Sequence, residues 1–219
     1  MYDVRPNTLI GFHGCDLDTR NKLVNNPAFI EISKKPYDWL GHGMYFWENN
    51  YTRAMQWAED KAAKGKIKTP GVLGAVLQLG HCCDFLDSKF TGMIGQYYEA
   101  MSTKYSATGS ELPINSDLNE DKHQDRLLRR LDCATIEYMH EAILEQYKAD
   151  MANQGYSNLQ LFDSTRALFR KAGLLSQARA LCGKAISRYA SVTSIASKVS
   201  LFHETKCLSR RVGPHSGDR

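Results

Sequence analysis

The chain has 219 residues, 42% of them hydrophobic and 24% charged, with a formal net charge of +4. That length supports one domain with a real core, and the ordinary composition excludes a disordered, low-complexity or collagen-like chain. No apolar run reaches membrane-spanning length and no basic-then-apolar leader is visible, so a cytoplasmic protein without a membrane partner is expected.

The stretch "TLIGFHG" reads as a short apolar strand ending in a turn, with His13 and Gly14 at its end. "DTRNKLVNN" follows as a short helix with Asp18 as cap. "YDWLGHG" is a loop, and "MYFW" is too short and too aromatic for anything but a strand or turn. Asn49 or Asn50 can cap a helix through "YTRAMQWAEDKAAK", on which Ala54, Trp57 and Ala58 share one face. "VLGAVLQLGHCCDFLD" is apolar on both alternating faces, which predicts a central strand buried on two sides, with His81 just past a strand end.

Residues 88–118 read as loop with short helix. The clearest helix runs from 121 to 151, where Leu127, Leu131, Ala134 and Tyr138 step by four, three and four to give one buried stripe. "LQLFDSTRALF" returns to strand character. The six cysteines, Cys15, Cys82, Cys83, Cys133, Cys182 and Cys207, form no C-x-x-C pair. Neither a metal site nor a disulfide framework is expected, and buried thiols are the simpler reading. His42, between Gly41 and Gly43, can bind phosphate or be solvated in its turn, and the solvated reading is favoured.

Two glycine-aromatic stretches carry the chemistry. Glycine lets backbone approach a ligand closely, and a Tyr or Trp face binds a flat cationic ring. In "IGFHGCD", His13 can hydrogen-bond a ribose hydroxyl while the backbone at Gly14 meets a carboxamide. In "LGHGMYFWEN", Tyr45 can offer its ring to that group. Taken singly, each also fits packing: a strand-end histidine can be buried or solvated, and "MYFW" can be core.

In this order, "FHG", "TRNKLV", "GHGMYF", "TRAMQWA" and "GVLGAVLQLG" resemble the poly(ADP-ribose) polymerase-like ADP-ribosyltransferases of the His-Tyr-Glu type, over residues 8–87. The resemblance implies an α+β fold: a split β-sandwich of two small antiparallel sheets with NAD+ between them. The ADP-ribosyltransferase-like domain would span 1–169, with a helical insertion over 88–158. NAD+ would be bound as substrate, without metal, and its ADP-ribose passed to a protein or nucleic-acid acceptor. His13 resembles the residue that orients NAD+ through the adenosine ribose, and Gly14 the partner of the nicotinamide carboxamide. Gly43 belongs to the turn, Tyr45 matches the first stacking ring, and Trp57 the second after a one-residue insertion. The implied pocket sets the His13 imidazole and the Tyr45 phenol on facing sides of a nicotinamide-sized gap. Ala54 stands where many members carry a carboxamide-binding serine.

The third member of the triad, an acidic or amide side chain on a late strand, has no match after Phe169. Residues 170–219 instead hold ten Lys and Arg against Glu204 and Asp218, a balance of +8, which leaves 18 basic and 22 acidic residues and a balance of −4 for 1–169. A tail translated out of frame accounts for this. Joining the third base of each codon to the first two of the next permits "PGSGFVRKSHIQICVRNLNCIKGFFIPR" from Ser176 onward, a late strand and closing strand with Gln in the Glu position. The tail is then expected to be disordered or weakly helical, with the final strands missing. Mono-transfer by ancestry, weak or absent in this chain, is the leading expectation. A non-catalytic NAD-binding or protein-interaction module is the second. An RNA-directed activity, 2′-phosphate transfer or binding by the basic tail, is the third.

Overall fold

A computed structural model describes residues 8–116, 128–168 and 191–195. In chain order these form β1 (Thr8–Asp16), α1 (Leu17–Asn25), β2 (Met44–Glu48), α2 (Tyr51–Ala63), β3 (Pro70–Gln78), β4 (Cys82–Asp84) and α3 (Ser88–Ala107). There follow β5 (Asn115–Ser116), β6 (Leu128–Arg129), α4 (Arg130–Gln154), β7 (Ser164–Leu168) and β8 (Ser191–Ile195). The class is α+β, as expected. Six strands lie in the order β3-β1-β2-β8-β7-β4, antiparallel except for β4 with β7, and β5 and β6 make a separate pair.

The sheet is thinnest at one place. β1 pairs with β3 along its whole length, from Thr8↔Gln78 to Asp16↔Pro70. Its pairing with β2 covers Gly11↔Glu48 and Phe12↔Trp47. From His13 onward the two strands part, while the six strands remain one sheet and not two packed ones.

Packing follows the alternation of strand side chains. Leu9, Cys15, Met44, Phe46, Leu73 and Leu77 form one buried cluster. The larger cluster joins Trp47 and Ala54 to the helical residues Phe90, Ile94, Ile136, Met139 and Ile143. Across the second half of the sheet, Arg166 of β7 binds Glu48 through two hydrogen bonds of 2.8 and 2.9 Å and Asp84 at 3.1 Å. Asp84 is fully buried, so this triad ties β2, β4 and β7 together by charge-assisted bonds.

Several expectations are corrected. β3 lies at the sheet edge, with Val76 and its neighbour Ile10 both exposed, and is not a central strand. Its apolar outer face imitates two-sided burial. The α1 cap is Asp16, whose carboxylate accepts from the Asp18 N–H, rather than Asp18. Residues 88–107 form a single 20-residue helix where loop with short helix was expected. Phe90, Ile94 and Met101 give it a buried stripe, obscured by Gly92 and Gly95, which lower helix propensity.

The buried stripe of α4 runs through Asp132, Ile136, Met139 and Ile143, not Leu131, Ala134 and Tyr138; Leu127 lies outside the described residues. The polar Asp132 in that stripe, bonded to the Asn115 amide at 2.9 Å, is what hides it. β8 corrects the expectation of missing final strands. Residues 191–195 pair with β2 from Met44↔Ile195 to Trp47↔Val192, and with β7 from Ser164↔Ile195 to Leu168↔Ser191. Val192, Thr193 and Ile195 suit a pleated surface, although the Lys, Arg and Ser around them mask the pattern. The rest of the tail lies outside the described residues.

Candidate functional site

The point where β1 and β2 part is occupied by His13. It sits inside β1, three residues before its end, and not at a strand terminus. Its Nδ1 lies 2.7 Å from the main-chain oxygen of Tyr45. A carbonyl oxygen only accepts, so Nδ1 carries the hydrogen and Nε2 is left as an acceptor. Burial, the largest influence, drives the imidazole pKa down to about 4, aided by the charge of Lys61 and opposed by the Tyr45 bond. His13 is therefore neutral at physiological pH, with one nitrogen committed to the fold.

Gly14 is fixed by packing. A Cβ there would run into the Ala54 carbonyl oxygen, so α2 crosses β1 in near-contact with its backbone. The buried Ala54 and Ala58 form the approaching surface, which explains alanine where a serine was sought. Asn50 caps this helix through a 2.9 Å bond from the Arg53 N–H.

The Gly41-His42-Gly43 turn holds Tyr45. Its hydroxyl donates to the Gly41 oxygen at 2.7 Å and accepts from the Leu40 N–H at 2.9 Å. Gly41 adopts φ +78°, a conformation glycine takes at little cost. Gly43 exchanges two 3.0 Å main-chain bonds with Ser33, so its N–H shapes the turn. Along β2, Met44 and Phe46 enter one core cluster while Tyr45 and Trp47 pack against the other. His13 lies beside Phe46, ring centroids 5.8 Å apart. The expected ring-to-ring arrangement is thus corrected: the imidazole meets Tyr45 through the main chain, on the Phe46 side, and the phenol turns to the Trp47 side. Strand alternation is the cause, since Phe46, which His13 lies beside, and Tyr45 are successive residues of β2 and take opposite faces.

Trp57 is 39% exposed and meets buried Trp47 edge-on at 6.5 Å. Arg53 lies 5.1 Å from the Trp47 ring and Lys61 5.7 Å from that of Trp57, within cation–π range. Burial and the nearby charges of Lys35 and Lys66 lower the Lys61 pKa. Trp47 and Lys61 were not singled out in the sequence, although the unbroken "MYFW" run carried the signal for the first.

His42 is not simply solvated. Its main-chain N–H donates to Glu137 Oε1 at 2.6 Å, and its Nδ1 lies 3.1 Å from Glu137 Oε2. The described thiols are buried. Burial raises the pKa of Cys15 and Cys83, and that of Cys133 to about 12, so none of these three is an activated nucleophile. No described helix is long and apolar enough to cross a membrane. No protein-family model, curated protein or solved structure matches the chain.

Proposed function

We propose that the chain binds NAD+ where β1 and β2 part, and is by ancestry an ADP-ribosyltransferase of the poly(ADP-ribose) polymerase-like type with weak mono-transfer activity. The observation that supports this most is His13, a neutral imidazole with Nδ1 bonded to Tyr45 and Nε2 free to accept. Such a group takes a hydrogen bond from a ribose hydroxyl without presenting a charge. The phenol, anchored at both lone pair and proton, offers its ring to nicotinamide. The facing arrangement implied by the resemblance is not present, which counts against a shared nicotinamide gap, so the proposal rests on His13 and not on that gap. Trp57, half-exposed on α2, supplies the second aromatic surface.

Weak turnover follows from β8. The strand beside Tyr45 reads Ser-Val-Thr-Ser-Ile, with no carboxylate or amide to steady an oxocarbenium-like transition state. Losing one such contact slows reaction on the order of a hundredfold or more. The same feature favours, as second reading, a module that binds NAD+ without turning it over. Incubating the full chain with NAD+ and quantifying released nicotinamide separates the two. Slow release that disappears in His13→Ala supports transfer, binding without release supports the second reading, and neither binding nor release removes both.

A further inference from the structure

Helix α4 brings one carboxylate to the glycine turn from 95 residues away. Both oxygens of Glu137 are used on the same residue: Oε1 takes the His42 main-chain N–H and Oε2 faces its Nδ1. The turn is shaped to admit it. A Cβ on Gly41 would come to 2.5 Å from Glu137 Oε1 and 2.9 Å from Ile136 Cγ2. The Gly41 oxygen on the same turn accepts the Tyr45 hydroxyl. The imidazole, held by Glu137, and the phenol, held by Gly41, therefore meet the same turn. The His42 side chain is 34% exposed.

A carboxylate accepts only, so it directs the proton of neutral His42 to Nδ1 and leaves the Nε2 lone pair outward. We propose that Glu137 and His42 form a carboxylate–imidazole pair whose Nε2 removes the proton from a hydroxyl group that accepts ADP-ribose, water included. This rests on the NAD+ reading given above. The acceptor oxygen forms a bond to C1′ of the nicotinamide ribose. The C1′–N bond breaks, its electron pair leaves with nicotinamide, and the acceptor proton passes to Nε2 and then to solvent. A carboxylate acceptor is already ionised at neutral pH and has no use for such a base, so the pair selects hydroxyl acceptors over acidic ones. Glu137 is the positioning residue. Its charge acts on Cys133 and His140 of its own helix, and Asp38 in the loop before the turn acts on Cys133.

The test uses the full chain with NAD+ alone, water being the acceptor. Calorimetry gives NAD+ affinity, and nicotinamide release is followed from about pH 5 to about pH 9. His42→Gln keeps the main-chain N–H that Glu137 holds, so the turn is retained. Its NAD+ affinity should match wild type, while release falls on the order of a hundredfold and no longer rises with pH. Glu137→Gln keeps an acceptor for the His42 N–H and should lower kcat for release on the order of tenfold with KM for NAD+ unchanged. A purely structural pair would change NAD+ affinity or stability and not kcat alone. Unchanged rate and profile in His42→Gln overturn the proposal, as does a wild type that binds NAD+ but releases no nicotinamide; both leave NAD+ binding standing. A wild type that does not bind NAD+ overturns the underlying reading and this one with it.

Discussion

His13 Nδ1 and the Tyr45 main-chain oxygen meet at 2.7 Å across the parting of β1 and β2. One hydrogen bond thus spans the place where the β1–β2 pairing ends, and it selects the tautomer that leaves Nε2 as an acceptor.

Burial of the His13 imidazole makes stability depend on pH, and the Tyr45 bond only offsets part of the shift. His13 titrates near 4 in the folded chain, below its ordinary 6.5. Below 6.5 the unfolded chain binds a proton that the folded one refuses. The contribution is complete above that pH and is lost as pH falls towards 4, about 3 kcal/mol in all and about 2 kcal/mol by pH 5. Burial lowers the pKa of His140 as well, so it acts with the same sign. His13→Asn can still donate to Tyr45 but does not titrate. Urea midpoints at neutral pH and at pH 5 should lie closer together in His13→Asn than in wild type; an equal separation contradicts the assignment.

The Glu48–Arg166–Asp84 triad should be costly to break from its centre. Arg166→Met leaves two carboxylates, one of them fully buried, without their guanidinium. The loss is expected at about 3–5 kcal/mol. Adding Glu48→Gln and Asp84→Asn should restore most of it, because the uncompensated charge is gone. Denaturant unfolding of the single and triple variants measures both.

Gly14 and Ala54 can be tested in the same way. Gly14→Ala places a methyl against the Ala54 carbonyl of α2 and should destabilise by about 1–3 kcal/mol. Gly65→Ala is no neutral control, because Gly65 has positive φ. Gly92→Ala is better, since nothing lies near its Cβ position. Thermal midpoints of the two variants should fall on opposite sides of wild type.

Much of the first half was legible because its signals are local. Asn50 caps α2 as its position indicates, and "MYFW" is a strand. Ala54 and Ala58 are buried, as their spacing requires, although Trp57 beside them stays exposed. The relationships that define the site were not legible. His42–Glu137 spans 95 residues and Arg166–Glu48 spans 118, and no periodicity encodes pairings set by tertiary packing. Side-chain alternation on β2 also decides which face Tyr45 takes, and that depends on the register with β1. β8 was hidden for a compositional reason, a five-residue strand within a basic, serine-rich stretch.

Tyr45→Phe and Tyr45→Ala separate the phenol's two duties. Loss of the hydroxyl frees the Leu40 N–H and the Gly41 oxygen from their 2.9 and 2.7 Å partners, at about 1–2 kcal/mol of stability. The ring remains, so NAD+ affinity should survive in Tyr45→Phe and fail in Tyr45→Ala. Equal loss in both would assign the hydroxyl, not the ring, to binding.

Calorimetric titration of NAD+ into the full chain is the most direct test of the central claim. The account predicts saturable binding of one NAD+ per chain, lost in His13→Ala and in Tyr45→Ala while both variants remain folded. Absence of binding, or binding indifferent to both substitutions, would contradict it.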